Sequence, residues 1–217
     1  MNLSARHIVS IATLLLTMAT ANPRTDYVSD AFDSQTFLMP KDISEQVNFG
    51  YRKAHRAAND IDIIVIHSCH SVETDSFNTE ECINQFRRYH VSPHYLISRD
   101  GTVIKMVNES DIALHAGRSR LPGTSRTMLN NSSIGIEIIN TKYSEPTYMQ
   151  YRALYKLVSD ICKRHPIRYV VRHSDIAPVR KDDPWCFDWQ RFQDQLHDAI
   201  GYLQFPSPAS EATAASK

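Results

Sequence analysis

Two histidines each come at the end of an apolar, strand-like run of the sequence. His67 ends the run IDIIVIH, and His173 follows the run YVV and Arg172. Taken alone, either histidine is more often a hydrogen-bonded core residue than a metal ligand, because histidines are commonly part-buried. Two strand-end imidazoles, however, need only one carboxylate or thiolate to form a catalytic zinc site with an open fourth position. The repeated pattern therefore favours a shared metal.

The third ligand of such a site would come from the polar segment after His173. Four residues there carry a carboxylate or a thiol, and spacing alone does not choose among them: Asp175, Asp182, Asp183 and Cys186. Asp175 is so near His173 in sequence that the two could share a metal only through a tight turn. The loop between Pro178 and Pro184 could instead fold a later acid back towards the histidines.

A carboxylate also interrupts one of the apolar strand patterns. Glu137 lies between Ile136 and Ile138 in the run SSIGIEII. Because an unpaired, ionised carboxylate is costly at a buried position, we expect a cationic partner, a metal-bound water or a raised pKa. Lys181, which lies beside the candidate acids, could form a structural ion pair with Glu137 or face an oxyanion at the metal.

The surrounding patterns predict a single α/β domain with a mixed central β-sheet flanked by helices. Three apolar runs predict buried strands, at residues 61–67, 132–139 and 169–171. The Asp100-Gly101 dipeptide predicts a hairpin between two further strands, since glycine tolerates positive φ. Three amphipathic helices are expected, beginning after Asn78, near Pro146 and after Asp188.

The two termini differ in composition from this domain. Residues 1–21 combine Arg6, a short apolar segment and the sequence ATA, which is the pattern of a cleaved secretory signal peptide. The apolar segment is short for a membrane span, so an uncleaved anchor is the less favoured alternative. We therefore expect an exported protein, periplasmic or secreted. Residues 22–59 are predicted to form a polar lead-in and residues 205–217 a disordered tail.

Charge and cysteine content narrow the possible partners. The 24 basic and 24 acidic residues cancel, whereas a dedicated nucleic-acid binder usually has a basic excess. We expect a monomer with no nucleic-acid partner and no stable membrane span after signal cleavage. In an exported protein the even number of cysteines makes disulfides plausible. Cys69 and Cys82 are the predicted pair, closing a short loop beside His67.

Five segments, in this order, carry a resemblance to a known family: IDIIVIHSC, SPHYLISRDGTVIKMV, ALHAGRS, NNSSIGIEI and VVRHSDIAPVRKDDPWCFDW. Together they resemble the zinc-dependent N-acetylmuramoyl-L-alanine amidases of the type-2 amidase family. That family includes AmpD- and AmiD-like bacterial enzymes, phage lysozyme-type amidases and animal peptidoglycan recognition proteins. The likeness covers residues 60–204, the predicted zinc amidase domain. It implies one Zn²⁺ and hydrolysis of the amide between N-acetylmuramic acid and L-alanine in peptidoglycan or its fragments.

The resemblance also assigns roles to individual residues. Its implied zinc ligands are His67, His173 and Asp183, which selects one acid among the candidates. Glu137 is implied as the general base that acts on water, and Lys181 as the residue that stabilises the oxyanion. His94 and His115 match family positions near the cleft, so they are assigned as substrate-lining or structural.

Some positions depart from the family pattern. Arg172 stands where glycine is usual, and Trp185 and Cys186 stand where glycine and small residues are usual. Pro93 occupies the place of a tyrosine that is catalytic in the phage and animal branches, which groups this chain with the glutamate-using bacterial branch. The alternative function is a non-catalytic peptidoglycan-binding or recognition protein. Such relatives typically lose a ligand, whereas this chain keeps all three.

Overall fold

The computed structural model describes residues 39–73 and 75–208, and within them it has eight strands and four α-helices. The strands are β1 (Lys41–Asp42), β2 (Tyr51–Arg52), β3 (Ile63–Cys69), β4 (Tyr95–Ile97), β5 (Val103–Lys105), β6 (Ile112–Ala113), β7 (Ser133–Ile139) and β8 (Tyr169–Arg172). The helices are α1 (Thr79–Tyr89), α2 (Tyr148–Arg164), α3 (His173–Ile176) and α4 (Trp189–Ala199). Two short 3₁₀ helices cover Ala58–Asp60 and Leu129–Ser132.

Six of the strands form one mixed sheet in the order β1-β5-β4-β7-β3-β8, while β2 and β6 form a separate antiparallel pair. β3 is parallel to both of its neighbours, and all seven of its residues are buried. Burial on both faces explains why its sequence is a continuous apolar run rather than an alternating one. The mixed α/β fold expected from the sequence is confirmed.

Helices and loops cover the two faces of the sheet differently. The face that carries Ile64 and Ile66 packs against α2 and α4, through side chains that include Leu154 and Phe192. On the opposite face, Val65 packs with the loop residues Ala116, Leu121 and Leu129, whereas Cys69 packs with Cys82 and Phe86 of α1. His67 lies between these two clusters, because side chains alternate along a strand.

The predicted helix starts and the predicted hairpin are confirmed. Asn78 and Asp188 accept hydrogen bonds from the backbone N–H groups of Glu81 and Arg191, so they cap α1 and α4. β4 and β5 pair antiparallel, and Gly101 between them has φ +85°. That left-handed conformation is the reason for glycine in the turn.

Two predicted boundaries differ from the structure. β3 continues two residues beyond His67 to Cys69, so His67 is inside the strand and not its last residue. Residues 39–59, assigned to the lead-in, contribute β1 and β2 and place Val47 and Phe49 in the core. The sequence did not predict β1 and β2, because the segment is polar and a two-residue strand has no detectable period.

The predictions about the two termini mainly concern residues outside the part of the chain that the structure describes. The signal peptide at residues 1–21, the first part of the lead-in at 22–38 and the tail from 209 onwards lie outside the described residues. Within residues 39–73 and 75–208, no helix has the length and apolar character needed to span a membrane.

The disulfide predicted between Cys69 and Cys82 is not formed in the structure, where both residues are free thiols. They lie in the same apolar cluster as Phe86 and Leu96 and pack there as small hydrophobic groups. Burial raises the pKa of Cys69 well above its ordinary value. A hydrogen bond from Cys69 lowers the pKa of Cys82, so Cys82 is the more readily ionised of the two thiols.

Gln150 ties the start of α2 to the ends of two sheet strands. Its buried amide Nε2 donates to the carbonyl oxygens of Ile97 (3.1 Å) and Ile139 (2.9 Å). Its Oε1 accepts from the backbone N–H of Thr147 at 3.0 Å. One side chain therefore satisfies the last carbonyls of β4 and β7, close to the end of the sheet that carries Glu137.

We expect Gln150→Leu to lower the free energy of unfolding by about 2–4 kcal/mol, because two buried carbonyls lose their donor. Urea denaturation of the full chain measures this change. The control is Gln190→Leu, at an exposed position of α4, where a change within about 0.5 kcal/mol is expected. A loss for Gln150→Leu no larger than that of the control would contradict the proposed tie.

Candidate metal centre

The register of the central strands brings the candidate residues side by side. In the parallel pairing of β3 with β7, His67 is the direct partner of Glu137. In the pairing of β3 with β8, Ile66 is opposite Arg172, and His173 is the next residue along the chain. Adjacent strands are about 4.8 Å apart. The three side chains therefore occupy neighbouring positions at one end of three adjacent strands.

The polar atoms of His67, His173 and Asp183 form a compact buried group. Nδ1 of His67 lies 2.9 Å from Nδ1 of His173. Oδ2 of Asp183 lies 3.2 Å from Nδ1 of His173 and 3.6 Å from Nδ1 of His67. The three residues are 1%, 4% and 4% exposed, respectively for His67, His173 and Asp183. This arrangement of two imidazoles and one carboxylate could hold a metal ion.

The loop after α3 brings Asp183 to the histidines. Its backbone oxygen accepts a hydrogen bond of 2.9 Å from the N–H of Ser174, which folds the loop back onto the start of α3. Its side chain also accepts from the N–H of Ser68 in β3, at 3.4 Å. Asp183 is thus held through its backbone by the start of α3 and through its side chain by β3.

The other three candidate acids and thiols point elsewhere. Asp175 forms a bidentate ion pair with the Arg172 guanidinium, at 2.7 and 3.0 Å. Asp182 is exposed and pairs with Lys142 and with Nε1 of Trp185. The exposed Cys186 donates its thiol to the carbonyl oxygen of Lys142. Of the four alternatives, the structure brings only Asp183 into the histidine group.

The surroundings keep this group in the protonation states that metals bind. Burial and the neighbouring His173 lower the pKa of His67 to about 4. Burial alone would raise the pKa of Asp183, but the hydrogen bond from His173 outweighs it and holds the pKa well below its ordinary value. Near neutral pH His67 is therefore neutral and Asp183 is ionised, as metal ligands must be.

Glu137 is a partly buried carboxylate whose Oε2 atom is shielded from solvent. Within the described residues its Oε2 has no hydrogen-bond partner. Burial, followed by repulsion from Asp183, raises the pKa of Glu137 well above its ordinary value, and the positive charge of Lys181 opposes this rise. A carboxyl group of raised pKa is a stronger base than an ordinary carboxylate, which suits proton transfer beside a candidate metal site.

These groups open into a cleft of about 410 Å³. Glu137, His173 and Asp183 lie on its floor, while Arg180 and Lys181 form a basic part of its wall. The lining is also partly apolar, with side chains from α1 and the loops beside it: Val72, Tyr89 and Val91. A polar substrate that carries both apolar and anionic groups would match such a cleft.

The two further histidines assigned from the resemblance differ in their surroundings. His94 is fully buried and lies outside the cleft lining, which favours the structural alternative of the two roles assigned to it. Its Nδ1 accepts from the N–H of Gly135 at 3.0 Å, and burial and the charge of Arg56 lower its pKa to about 3. His115 does reach the cleft floor, but both of its ring nitrogens contact protein groups, His67 and Ser133.

The residues that depart from the family pattern lie in different places relative to the cleft. Arg172 turns away from the candidate metal atoms, with its guanidinium 5.4 Å from the ring centroid of Trp189. Trp185 lies in the cleft wall, and its backbone N–H donates to Oγ of Ser68 at 3.1 Å. Of these three departures, Trp185 is the one that lines the cleft. Ser133 and Gly135, which contact the histidines from β7, had not been singled out in the sequence.

A family model described as N-acetylmuramoyl-L-alanine amidase matches residues 57–186. The chain is 41% identical over 106 residues to the 1,6-anhydro-N-acetylmuramyl-L-alanine amidase AmpD of Haemophilus influenzae, covering 47% of this chain and 56% of that protein. It is 34% identical over 163 residues to the N-acetylmuramoyl-L-alanine amidase AmiD of Escherichia coli, covering 66% of this chain and 56% of that protein. The chain thus spans little more than half the length of these curated relatives.

One solved structure with the same fold is a complex with a substrate. It is the complex of AmiD from E. coli with the substrate anhydro-N-acetylmuramic acid-L-Ala-D-γ-Glu-L-Lys, with a TM-score of 0.56 and 33% identity. The match covers 66% of this chain and 60% of that chain. The segment matched by the family model is more than half of this chain and includes His67, His173 and Asp183. The chain belongs to the N-acetylmuramoyl-L-alanine amidase family.

Proposed function

We propose that this chain is an exported zinc hydrolase that cleaves the amide between N-acetylmuramic acid and L-alanine in peptidoglycan or its fragments. The observation that carries the proposal is the placing of three candidate donor atoms within 3.6 Å of one another. A carboxyl group of raised pKa, Glu137, lies on the neighbouring strand. A metal that activates water needs this combination of an open site and a nearby base.

The donor atoms fit zinc in number, type and spacing. Catalytic zinc sites use three protein ligands drawn from imidazole, carboxylate and thiolate, with a fourth position open. Tetrahedral coordination with bonds of about 2.0–2.1 Å requires about 3.3 Å between donor atoms. The three observed separations are 2.9, 3.2 and 3.6 Å. His67, His173 and Asp183 would therefore hold the ion with little rearrangement.

The substrate class comes from the relatives together with the cleft. AmpD of H. influenzae is named as an amidase of 1,6-anhydro-N-acetylmuramyl-L-alanine, and AmiD of E. coli binds an anhydromuramyl tripeptide in its complex. The basic wall formed by Arg180 and Lys181 suits the carboxylates of a stem peptide. The signal-like residues 1–21 support action outside the cytoplasm.

The residues of this chain divide the reaction among them. When bound, zinc acts as a Lewis acid and makes water acidic enough to be a nucleophile near neutral pH. Glu137 accepts a proton from water as the oxygen adds to the lactyl carbonyl carbon. It then gives that proton to the alanine nitrogen as the C–N bond breaks. Lys181 stabilises the negative charge that develops on the carbonyl oxygen. The products are a muramyl carboxylate and a free stem peptide.

Zinc content distinguishes the proposed roles of the two neighbouring aspartates, Asp182 and Asp183. Asp183→Ala is expected to reduce the zinc content from about one ion per chain to nearly none, because a three-ligand site loses its only carboxylate. The matched control is Asp182→Ala, which removes an exposed carboxylate paired with Lys142 and should leave the zinc content unchanged. Elemental analysis after dialysis measures both. Equal zinc content in the two variants would contradict the assignment.

The second prediction concerns the base. Glu137→Gln should keep its zinc yet lower kcat by about 10²- to 10⁴-fold, because the amide cannot accept the proton of water. Release of stem peptide from purified muropeptides, followed by mass spectrometry, measures the rate. Glu80→Gln, at an exposed position of α1, serves as the control. Full activity of Glu137→Gln would rule out the proposed role.

The third prediction tests the cation in the cleft wall. Lys181→Met should lower kcat by about 10²- to 10³-fold with the zinc content unchanged, because the developing oxyanion loses its positive neighbour. Lys41→Met removes an exposed lysine of β1 and is expected to have no effect on the same assay. If Lys181→Met changed only KM, Lys181 would bind substrate without stabilising the transition state.

A further inference from the structure

A chain of buried hydrogen bonds runs from His67 away from the candidate metal position. Nε2 of His67 lies 3.0 Å from Nδ1 of His115. Nε2 of His115 lies 3.1 Å from Oγ of Ser133, and that hydroxyl donates to the carbonyl oxygen of Leu129 at 2.7 Å. His115 is 9% exposed and Ser133 is fully buried. The far ring nitrogen of His67 is therefore linked to the backbone through two side chains.

The last contact sets the direction of every bond in the chain. A carbonyl oxygen can only accept, so the single proton of the Ser133 hydroxyl points to Leu129. The Ser133 oxygen must then accept from Nε2–H of His115. A neutral imidazole carries one N–H, so Nδ1 of His115 is an acceptor and receives Nε2–H of His67. This leaves Nδ1 of His67 with its lone pair facing His173 and Asp183.

We propose that His115 and Ser133 are positioning residues that hold His67 in the tautomer whose Nδ1 can bind a metal. The inference deepens the proposed function and rests on it, because the metal is the group that His67 would bind. A ligating histidine commonly donates its second N–H to an acceptor that fixes the tautomer and ring orientation. Here the acceptor is a second histidine, itself oriented by a hydroxyl and a main-chain carbonyl.

The surroundings of His115 support this role. A Cβ atom placed on Gly135 would lie 2.4 Å from Cγ and 2.5 Å from Nδ1 of His115, so only glycine lets the ring lie against β7. Oδ1 of Asn130 accepts the backbone N–H groups of His115 and Ala116, at 3.2 and 2.8 Å. The backbone and the ring are thus both held. Within the described residues, His115 has no carboxylate partner, which is consistent with a neutral ring.

The first arm of the test measures zinc affinity of the full chain by competition with a chromophoric chelator. His115→Leu should weaken zinc binding by about 10- to 100-fold, the range found when the partner of a ligating histidine is removed. His115→Asn places an amide oxygen where Nδ1 stood, so it should recover most of the affinity. Ser133→Ala should weaken binding in the same direction as His115→Leu.

A matched control comes from the other buried histidine. The ring centroid of His94 is 5.7 Å from that of His115, and its own hydrogen bonds lead to Gly135 and Arg56. His94→Asn therefore perturbs the same region without touching the hydrogen-bond chain. It should leave zinc affinity close to that of the unaltered protein even if thermal unfolding occurs earlier. Equal losses in His94→Asn and His115→Leu would mean that His115 acts only through packing, which overturns the inference.

The second arm observes the protons directly. A long-range ¹H–¹⁵N spectrum of the zinc-loaded protein should show His115 protonated on Nε2 and unprotonated on Nδ1. Protonation of His115 on Nδ1 would overturn the inference, since that nitrogen could not accept from His67. An unaltered chain that bound no zinc would overturn the proposed function as well. Tight zinc binding that ignores both His115→Leu and Ser133→Ala would overturn this inference alone.

Discussion

The parallel register of β3 with β7 and β8 is the constraint on which the candidate site depends. It makes Glu137 the partner of His67 and brings His173 one step beyond the pairing of Ile66 with Arg172. A shift of one residue in either pairing would turn a side chain to the opposite face of the sheet. The buried apolar residues of β3 oppose such a shift, because each would lose the close packing that it has with the cluster on its own face. The same strand register therefore determines both the packing of the core and the geometry of the site.

The pKa values of the two carboxylates at this centre are shifted in opposite directions, because one lies on a loop and the other on a strand of the sheet. Asp183 lies on a loop and receives a hydrogen bond from the imidazole of His173, so its pKa is low. Glu137 projects from a strand that is otherwise apolar and lies near the charge of Asp183, so its pKa is high. Neighbouring acids with separated pKa values are the usual basis for assigning different roles in catalysis. A bound cation would stabilise both groups in the ionised form.

Much of the fold could be predicted from local pattern, whereas the site needed tertiary information. The buried strands, the turn at Gly101 and the caps Asn78 and Asp188 each depend on a few consecutive residues. The choice among the acids after His173 depends on how a loop folds back, which spacing alone did not decide and the family resemblance did. The contacts of His115 with Ser133 depend on a loop that meets β7 from far along the chain. No periodic pattern reports such a contact, although the glycine inside SSIGIEII hints at a close approach.

The main-chain oxygen of Leu129 ends the hydrogen-bond chain behind His67. Any amino acid at position 129 would present the same oxygen, provided that the 3₁₀ turn keeps its path. Substitution there can alter packing against Val65 but cannot remove the acceptor. Substitutions at position 129 are therefore limited by whether they preserve the 3₁₀ turn, and not by the chemistry of their side chains. Behind His67, the groups of this chain of bonds that an amino-acid substitution can remove are therefore the side chains of His115 and Ser133.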